Sequence, residues 1–207
     1  GNLGLAGSPT KIAKASDKVR KGAGEKVTPD SPEDAVSYIV DTLRLAKEKI
    51  DIVAIGPLTN IAIMLAIHPD VVNYISEINI MGGAVIGGNS TPCSEFNIFT
   101  DPHGAQTVFK SGIHINMFGL DVTLKALLTV EEGNDIITYD NRAAALFKDS
   151  TGLMYRLCEA HIQPGLCMHD CCPVVYLQHP DWFKGIDCGV YVETQGNITM
   201  GKICCDV

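Results

Sequence analysis

Three short β-branched runs, each closing on glycine, constrain this chain more than any other feature. They are Ile50-Asp51-Ile52-Val53-Ala54-Ile55 before Gly56-Pro57, Ile78-Asn79-Ile80-Met81 before Gly82-Gly83, and Ile113-His114-Ile115-Asn116-Met117-Phe118 before Gly119. Runs of this length and composition read as buried parallel strands. Between them lie stretches with helix signals: Leu58 to Ile67, which His68-Pro69-Asp70 breaks, and Asp101-Pro102 through Phe109. Strand, helix, strand, helix, strand at this spacing predicts an α/β fold, a mainly parallel sheet with crossover helices.

The rest of the chain fits around that frame. Ser31-Pro32-Glu33-Asp34 predicts a capped helix start running through Ala35 to Leu43. Val71 to Ser76 reads as a short helical piece, residues 130–165 as mostly helical, and Cys188 to Glu193 and Ile198 to Val207 as further strands. We expect one domain over residues 1–207. It begins at Gly1 rather than Met and stops within an apolar run, so it is expected to be incomplete at both ends.

Composition excludes some functions. A net charge of −8 argues against a general nucleic-acid binder, which needs a basic face. No apolar run reaches the length of a membrane span. Eight cysteines, two pairs of them adjacent in sequence, read as free, buried thiols of a reducing compartment, and with no signal peptide opening the chain a cytoplasmic protein is expected.

Ligands in open parallel sheets gather at the carboxyl ends of strands. Three stretches lie there: Ile55 to Asn60, Met81 to Asn97, and Gly119 to Thr123. The second holds four glycines but no Gly-Lys-Ser/Thr, which disfavours phosphate binding. Glu95 and Asn97 flank Phe96, so in an extended segment they share a face. A carboxylate and a carboxamide converging on one pocket suit the hydroxyls of a sugar. The plainer alternative makes Asn89 and Asn97 turn caps and leaves Glu95 solvated.

Cys167-Met168-His169-Asp170-Cys171-Cys172-Pro173 invites a zinc reading, but it lacks the Cys-x2-Cys pairs of structural zinc sites. Cys171 is expected to be packed, leaving His169-Asp170 as a titratable pair ahead of a buried helix.

Taken in order, Gly56-Pro57-Leu58-Thr59-Asn60, Met81-Gly82-Gly83, Asn89, Glu95-Phe96-Asn97, Asp101-Pro102, Gly119-Leu120-Asp121-Val122-Thr123 and His169-Asp170 resemble the nucleoside hydrolases. This calcium-dependent, inosine-uridine preferring family cleaves the N-glycosidic bond of ribonucleosides on a Rossmann-like open sheet. The resemblance implies Ca2+ held by Asp170 and by the Ile55 backbone carbonyl. It implies that Asn89 and Glu95 hold the ribose 5′-hydroxyl, Met81 lies beneath the sugar, and Asn97 and Asp170 bind ribose hydroxyls. His169 and Asp170 would be the catalytic pair, His169 protonating the departing base. It also implies a small-molecule ribonucleoside substrate and a homodimer or homotetramer. Base contacts are expected in a variable helical stretch that holds Tyr155, Arg156 and His161.

One departure stands out. The family's Asp-x-Asp-Pro-Gly-x-Asp-Asp stretch, which supplies most metal carboxylates, is absent from these 207 residues. Gly1 to Leu5 matches the end of a later family segment. The 207 residues alone are therefore expected to bind calcium poorly and to be nearly inactive. The competing expectations are an inactive nucleoside- or sugar-binding homologue and, less favoured, a cysteine-based metal or redox protein.

Overall fold

The computed structural model describes residues 35–160 and 164–206. The expected Ser31 cap, the Gly1 to Leu5 match, His161 and the side chains of Tyr155 and Arg156 lie outside the described residues. Leu127–Leu166 belongs to one compact unit, and Glu33–Ala126 with Cys167–Val207 to another.

In the second unit, helix α1 (Ala35–Leu45) leads to strand β1 (Ile50–Ala54), helix α2 (Thr59–Ile67) and strand β2 (Ile75–Met81). Helices α3 (Phe96–Thr100) and α4 (Pro102–Phe109) then lead to strand β3 (His114–Phe118). The sheet has order β1-β2-β3, both pairs parallel, with Ile52 beside Ile78 and Ile78 beside Ile115. The expected parallel sheet with crossover helices is present.

The sheet forms because one face is apolar: Ile52, Ile78, Ile80, Ile115 and Met117 share it, while Glu77, Asn79, His114 and Asn116 lie on the other, so β1 and β3 are only half-buried rather than the fully buried strands expected. Ile78 and Ile80 of β2 and Met64 of α2 are fully buried in one core with Val71 and Val108. Each such side chain contributes about 1.5–3 kcal/mol relative to exposure. Helix α2 is apolar around most of its circumference, as suits a helix packed against both α1 and α4. Asp101 caps α4: its Oδ1 accepts from the Gly104 N–H at 2.8 Å, and Pro102 fits the first turn, where no amide donor is needed. The Thr59 hydroxyl donates to Asp101 Oδ2 at 2.6 Å, tying the starts of α2 and α4 together.

The expected helical piece over Val71 to Ser76 needs correction. A 3-10 turn over Pro69–Tyr74 ends there, and Ile75 and Ser76 open β2. Ile75 is buried and pairs with Ile50, so ladder and core override the local turn signal.

Beyond β3, Gly119 precedes the one-turn helix α5 (Leu120–Thr123). In the other unit, strand β4 (Leu127–Thr129), helix α6 (Val130–Ile136) and helix α7 (Arg142–Ala160) precede strand β5 (Gly165–Cys167), which pairs with β4. Thr129 and Glu132 form a reciprocal capping box at the start of α6. Within the stretch 130–165 expected to be mostly helical, residues 130–136 and 142–160 are helical, residues 137–141 are not, and the chain enters β5 at Gly165.

Helix α8 (Cys171–Gln178) packs toward β2 and β3. It is only partly buried: Cys172 and Pro173 face inward, while Val174 and Leu177 are exposed. Rings of Phe118, Tyr176 and Phe183 hold it to the end of β3, with centroids 5.3 to 5.7 Å apart. Strands β6 (Gly189–Val192) and β7 (Ile203–Asp206) form an antiparallel hairpin whose Val192 and Ile203 join the main core. The strand expected from Ile198 starts only at Ile203. Residues 198–202 form turns, with Met200 N–H donating to the Gly196 carbonyl and Gly201 at φ 77°.

Among the described residues no helix is long and apolar enough to cross a membrane.

Candidate active site

Strand β2 ends at Met81, and the chain then turns through Gly82 and Gly83. Gly83 takes φ 82°, and a Cβ there would lie 2.9 Å from Ile203 Cγ1, so both backbone angle and space require glycine. Around this corner the structure gathers three of the expected sugar-binding residues. Glu95 is 2% exposed. Its carboxylate accepts from the N–H groups of Gly83 at 2.9 Å, Asn97 at 2.9 Å and Ile98 at 3.2 Å. Asn97 is also buried, and its Nδ2 donates to the Met81 carbonyl at 2.9 Å.

This arrangement corrects two expectations. Glu95 and Asn97 do not converge as alternate residues of an extended segment; Glu95 is the N-cap of α3 and Asn97 lies in its first turn. A solvated Glu95 is equally overturned. Three backbone donors offset the cost of placing a carboxylate inside. Asn97 Oδ1 accepts no hydrogen bond among the described residues, which leaves it open to a hydroxyl donor.

Asn89 is exposed, and its Oδ1 accepts from the Phe96 N–H at 2.9 Å. The turn-capping reading of Asn89 therefore holds geometrically, while its amide NH2 remains free to donate among the described residues. The loop leading to Asn89 is held from two sides. Asp121 accepts from the N–H groups of Val85 at 2.6 Å and Ile86 at 3.0 Å. Lys202 Nζ donates to the Val85 carbonyl, and at 3.5 Å to that of Ala84. Neither residue was expected to serve the site. Asp121 stood in a stretch already selected at the carboxyl end of a strand, whereas nothing near Lys202 signalled its reach.

His169 and Asp170 lie in the turn before α8. His169 Nδ1 is 2.7 Å from the hydroxyl of Thr123, which is fully buried at the end of α5. Helix α5 is in turn anchored to the glycine corner, because Leu120 N–H donates to the Gly83 carbonyl at 2.9 Å. Hydrogen bonds thus link Met81, Asn97, Glu95, Gly83 and Leu120, and the short helix α5 carries the connection on to Thr123, whose hydroxyl meets His169. Asp170 is exposed and makes no side-chain cap bond to α8, so its carboxylate is available to a ligand. Ile55 follows β1, at 49% exposure.

The thiols behave differently from expectation. The described cysteines form no disulfide, but only Cys172 is buried; Cys171 and Cys204 are exposed. Cys171 is the first residue of α8 and faces outward, while Cys172 turns inward and donates to the Met168 carbonyl at 3.4 Å. Partial desolvation first, and then the charge of Asp170, raise the Cys171 thiol above its ordinary pKa, although its side chain stays largely exposed. Among the described residues no three His, Cys, Asp or Glu side chains cluster as a metal site.

Relatives share this architecture. The family model for inosine-uridine preferring nucleoside hydrolase matches residues 1–207. A non-specific ribonucleoside hydrolase RihC of Escherichia coli (strain SMS-3-5 / SECEC) is 42% identical over 184 residues, covering 86% of this chain and 58% of the relative. The same-named protein of Shigella dysenteriae serotype 1 is 44% identical over 174 residues, covering 82% and 54%. Among solved structures, a purine-preferring ribonucleoside hydrolase from Gardnerella vaginalis superimposes with a TM-score of 0.81 at 31% identity, over 89% of this chain and 59% of that one. A plant nucleoside hydrolase, PpNRh1, gives 0.80 at 25% identity, over 88% and 57%. The chain spans little more than half the length of these proteins. With the family model matched from end to end and the glycine corner, the Glu95 cap and the His169-Asp170 turn arranged around one sheet, this chain belongs to the inosine-uridine preferring nucleoside hydrolase family.

Proposed function

We propose that this chain supplies the ribose- and base-facing part of an enzyme that hydrolyses the N-glycosidic bond of ribonucleosides to free base and ribose. The observation that carries this reading is the set of polar groups gathered here: buried Glu95 and Asn97 at the Met81–Gly83 corner, and half-buried His169 on the buried Thr123 hydroxyl. Buried polar groups need partners, and here they present unused hydrogen-bonding capacity at the carboxyl ends of parallel strands, where ligands bind.

Departure of the base leaves an oxocarbenium-like ribosyl group, so groups that tolerate developing positive charge favour the reaction. In our reading Glu95 and Asn89 take the 5′-hydroxyl, Asn97 Oδ1 accepts from a ring hydroxyl, Met81 packs beneath the sugar, and Asp170 binds the ribose diol. Thr123 occupies His169 Nδ1 and leaves Nε2 for the departing base, where a proton is needed. The Met81 and Asn97 contacts fix the sugar platform before substrate arrives, which lowers the ordering cost of the reactive geometry.

Members of this family generally depend on a metal. We propose calcium for the complete protein, with Asp170 and the Ile55 carbonyl as ligands. Calcium takes roughly six to eight oxygens, and a carboxylate with one carbonyl offers three at most. The described residues therefore do not fit a complete calcium shell, and we assign the metal no step here. We also propose a cytoplasmic setting and self-association of the complete protein as a dimer or tetramer.

The test is release of free base and ribose from inosine and uridine by a protein carrying this segment within the whole family domain. Activity that Asp170→Ala and His169→Ala both reduce supports the reading. Full activity in Asp170→Ala refutes it, and nucleoside binding without turnover identifies a non-catalytic homologue. The 207 residues alone are expected to show no tight calcium uptake in a calorimetric titration.

A further inference from the structure

A groove of about 1060 Å3 runs along β3, the edge strand of the described sheet, walled by β3 residues, Tyr176, Phe183 and the β6–β7 hairpin. Cys188 and Cys205 both line it, and neither takes part in the sugar-facing network. The hairpin register explains their convergence. Val190 pairs with Cys205, so the two side chains share a face; Cys188 stands two residues before Val190, just outside the ladder, and lines the same groove. Cys204, one residue earlier on β7, faces outward and is exposed.

Diagonal residues of a regular ladder sit at the outer limit for a disulfide, about 7–8 Å apart. Cys188, however, precedes the first ladder pair, Gly189 with Asp206, and is followed by glycine, so its backbone is not held to that spacing. Burial first, and then the neighbouring Cys188 thiol, push the Cys205 thiol up to about 11, with Asp121 adding to the effect. A thiol so raised is a poor initiating nucleophile near neutrality, yet an intrinsically strong one once deprotonated, which suits a resolving role.

We propose that Cys188 and Cys205 form a reversible dithiol–disulfide pair that exchanges with small-molecule disulfides. Cys188 thiolate attacks one sulfur of a disulfide such as oxidised glutathione and releases one glutathione thiolate. Cys205 thiolate then attacks the Cys188 sulfur of the mixed disulfide and releases the second. Two electrons pass to the small disulfide, the two thiol protons end on the released thiols, and one protein S–S bond forms. The bridge closes the open end of a hairpin whose turn end carries Lys202, the residue holding the Asn89 loop.

The test uses the 207-residue chain, native by circular dichroism, incubated with excess oxidised glutathione, quenched with N-ethylmaleimide and cleaved with trypsin. The expected product joins the peptide after Lys184, which holds Cys188, to the peptide after Lys202. It should vanish with dithiothreitol, and fragmentation between Cys204 and Cys205 should assign the sulfur to Cys205. The product should persist in Cys204→Ser and be lost in Cys205→Ser, with Cys205→Ala used if the serine variant misfolds. A link through Cys204, or glutathione adducts that never resolve to the internal bridge, would overturn the proposal.

Discussion

Replacing Glu95 by alanine probes the glycine corner most directly. The side chain is buried and accepts from Asn97, Ile98 and Gly83. Loss of an N-cap acceptor costs about 0.5–2 kcal/mol. A buried N–H left without a partner, here that of Gly83, costs a further 1–3 kcal/mol or so. The expected loss for Glu95→Ala is therefore roughly 2–5 kcal/mol, or a fall in Tm on the order of 5–15 °C for a chain of this size. Glu95→Gln keeps the shape and one acceptor oxygen but gives up the stronger carboxylate bonds, so about 1–2 kcal/mol is expected. Urea unfolding followed by circular dichroism measures both, provided the slope against denaturant is unchanged. An alanine variant within ~0.5 kcal/mol of the parent would refute the reasoning, because the three donors would then be satisfied without Glu95. Equal losses for Gln and Ala would show that the charge, rather than the cap geometry, carries the effect.

Two further outcomes follow from the same geometry. Gly83→Ala combines a φ of 82° with a Cβ 2.9 Å from Ile203 Cγ1, whereas Gly87→Ala has a φ of 77° and open space. The first should cost more than the second, which is expected to lose only the ~1–2 kcal/mol of left-handed backbone strain, and equal urea midpoints would rule out the packing argument. The Thr59 hydroxyl and then the Gly104 N–H hold the Asp101 carboxyl below its ordinary pKa. A carboxyl lowered in the folded state stabilises above its unfolded pKa and loses that contribution as pH falls through the folded one. Below the usual aspartate range the urea midpoint should therefore drop more steeply for the parent than for Asp101→Asn, and parallel curves would refute the coupling.

Much of the fold was legible locally. Apolar runs ending in glycine marked β1, β2 and β3, and Asp101-Pro102 marked the start of α4, because an apolar core-facing row and a satisfied first turn are demands met within a few residues. The family motifs pointed to Met81, Asn89, Glu95, Asn97, His169 and Asp170 as candidates, and the fold places Met81, Glu95 and Asn97 at one corner. Local pattern failed where distant chain intervened: Ile75 became strand because Ile50 lay beside it, and Ile198 to Lys202 became turns although the run looked strand-forming.

The sequence by itself determined the alternation of strands and helices and the family to which it belongs, since both are written in residue type and order. Only the tertiary structure decided what those residues hold. Glu95 answers a backbone amide 12 positions away, His169 a hydroxyl 46 away, and Lys202 a loop carbonyl 117 away. Pairing at such separations depends on how the chain closes on itself, and no short-range pattern encodes it. The same closure placed Cys188 and Cys205 on one wall and turned Cys171 and Cys204 toward solvent, a distinction that eight identical side chains could not carry.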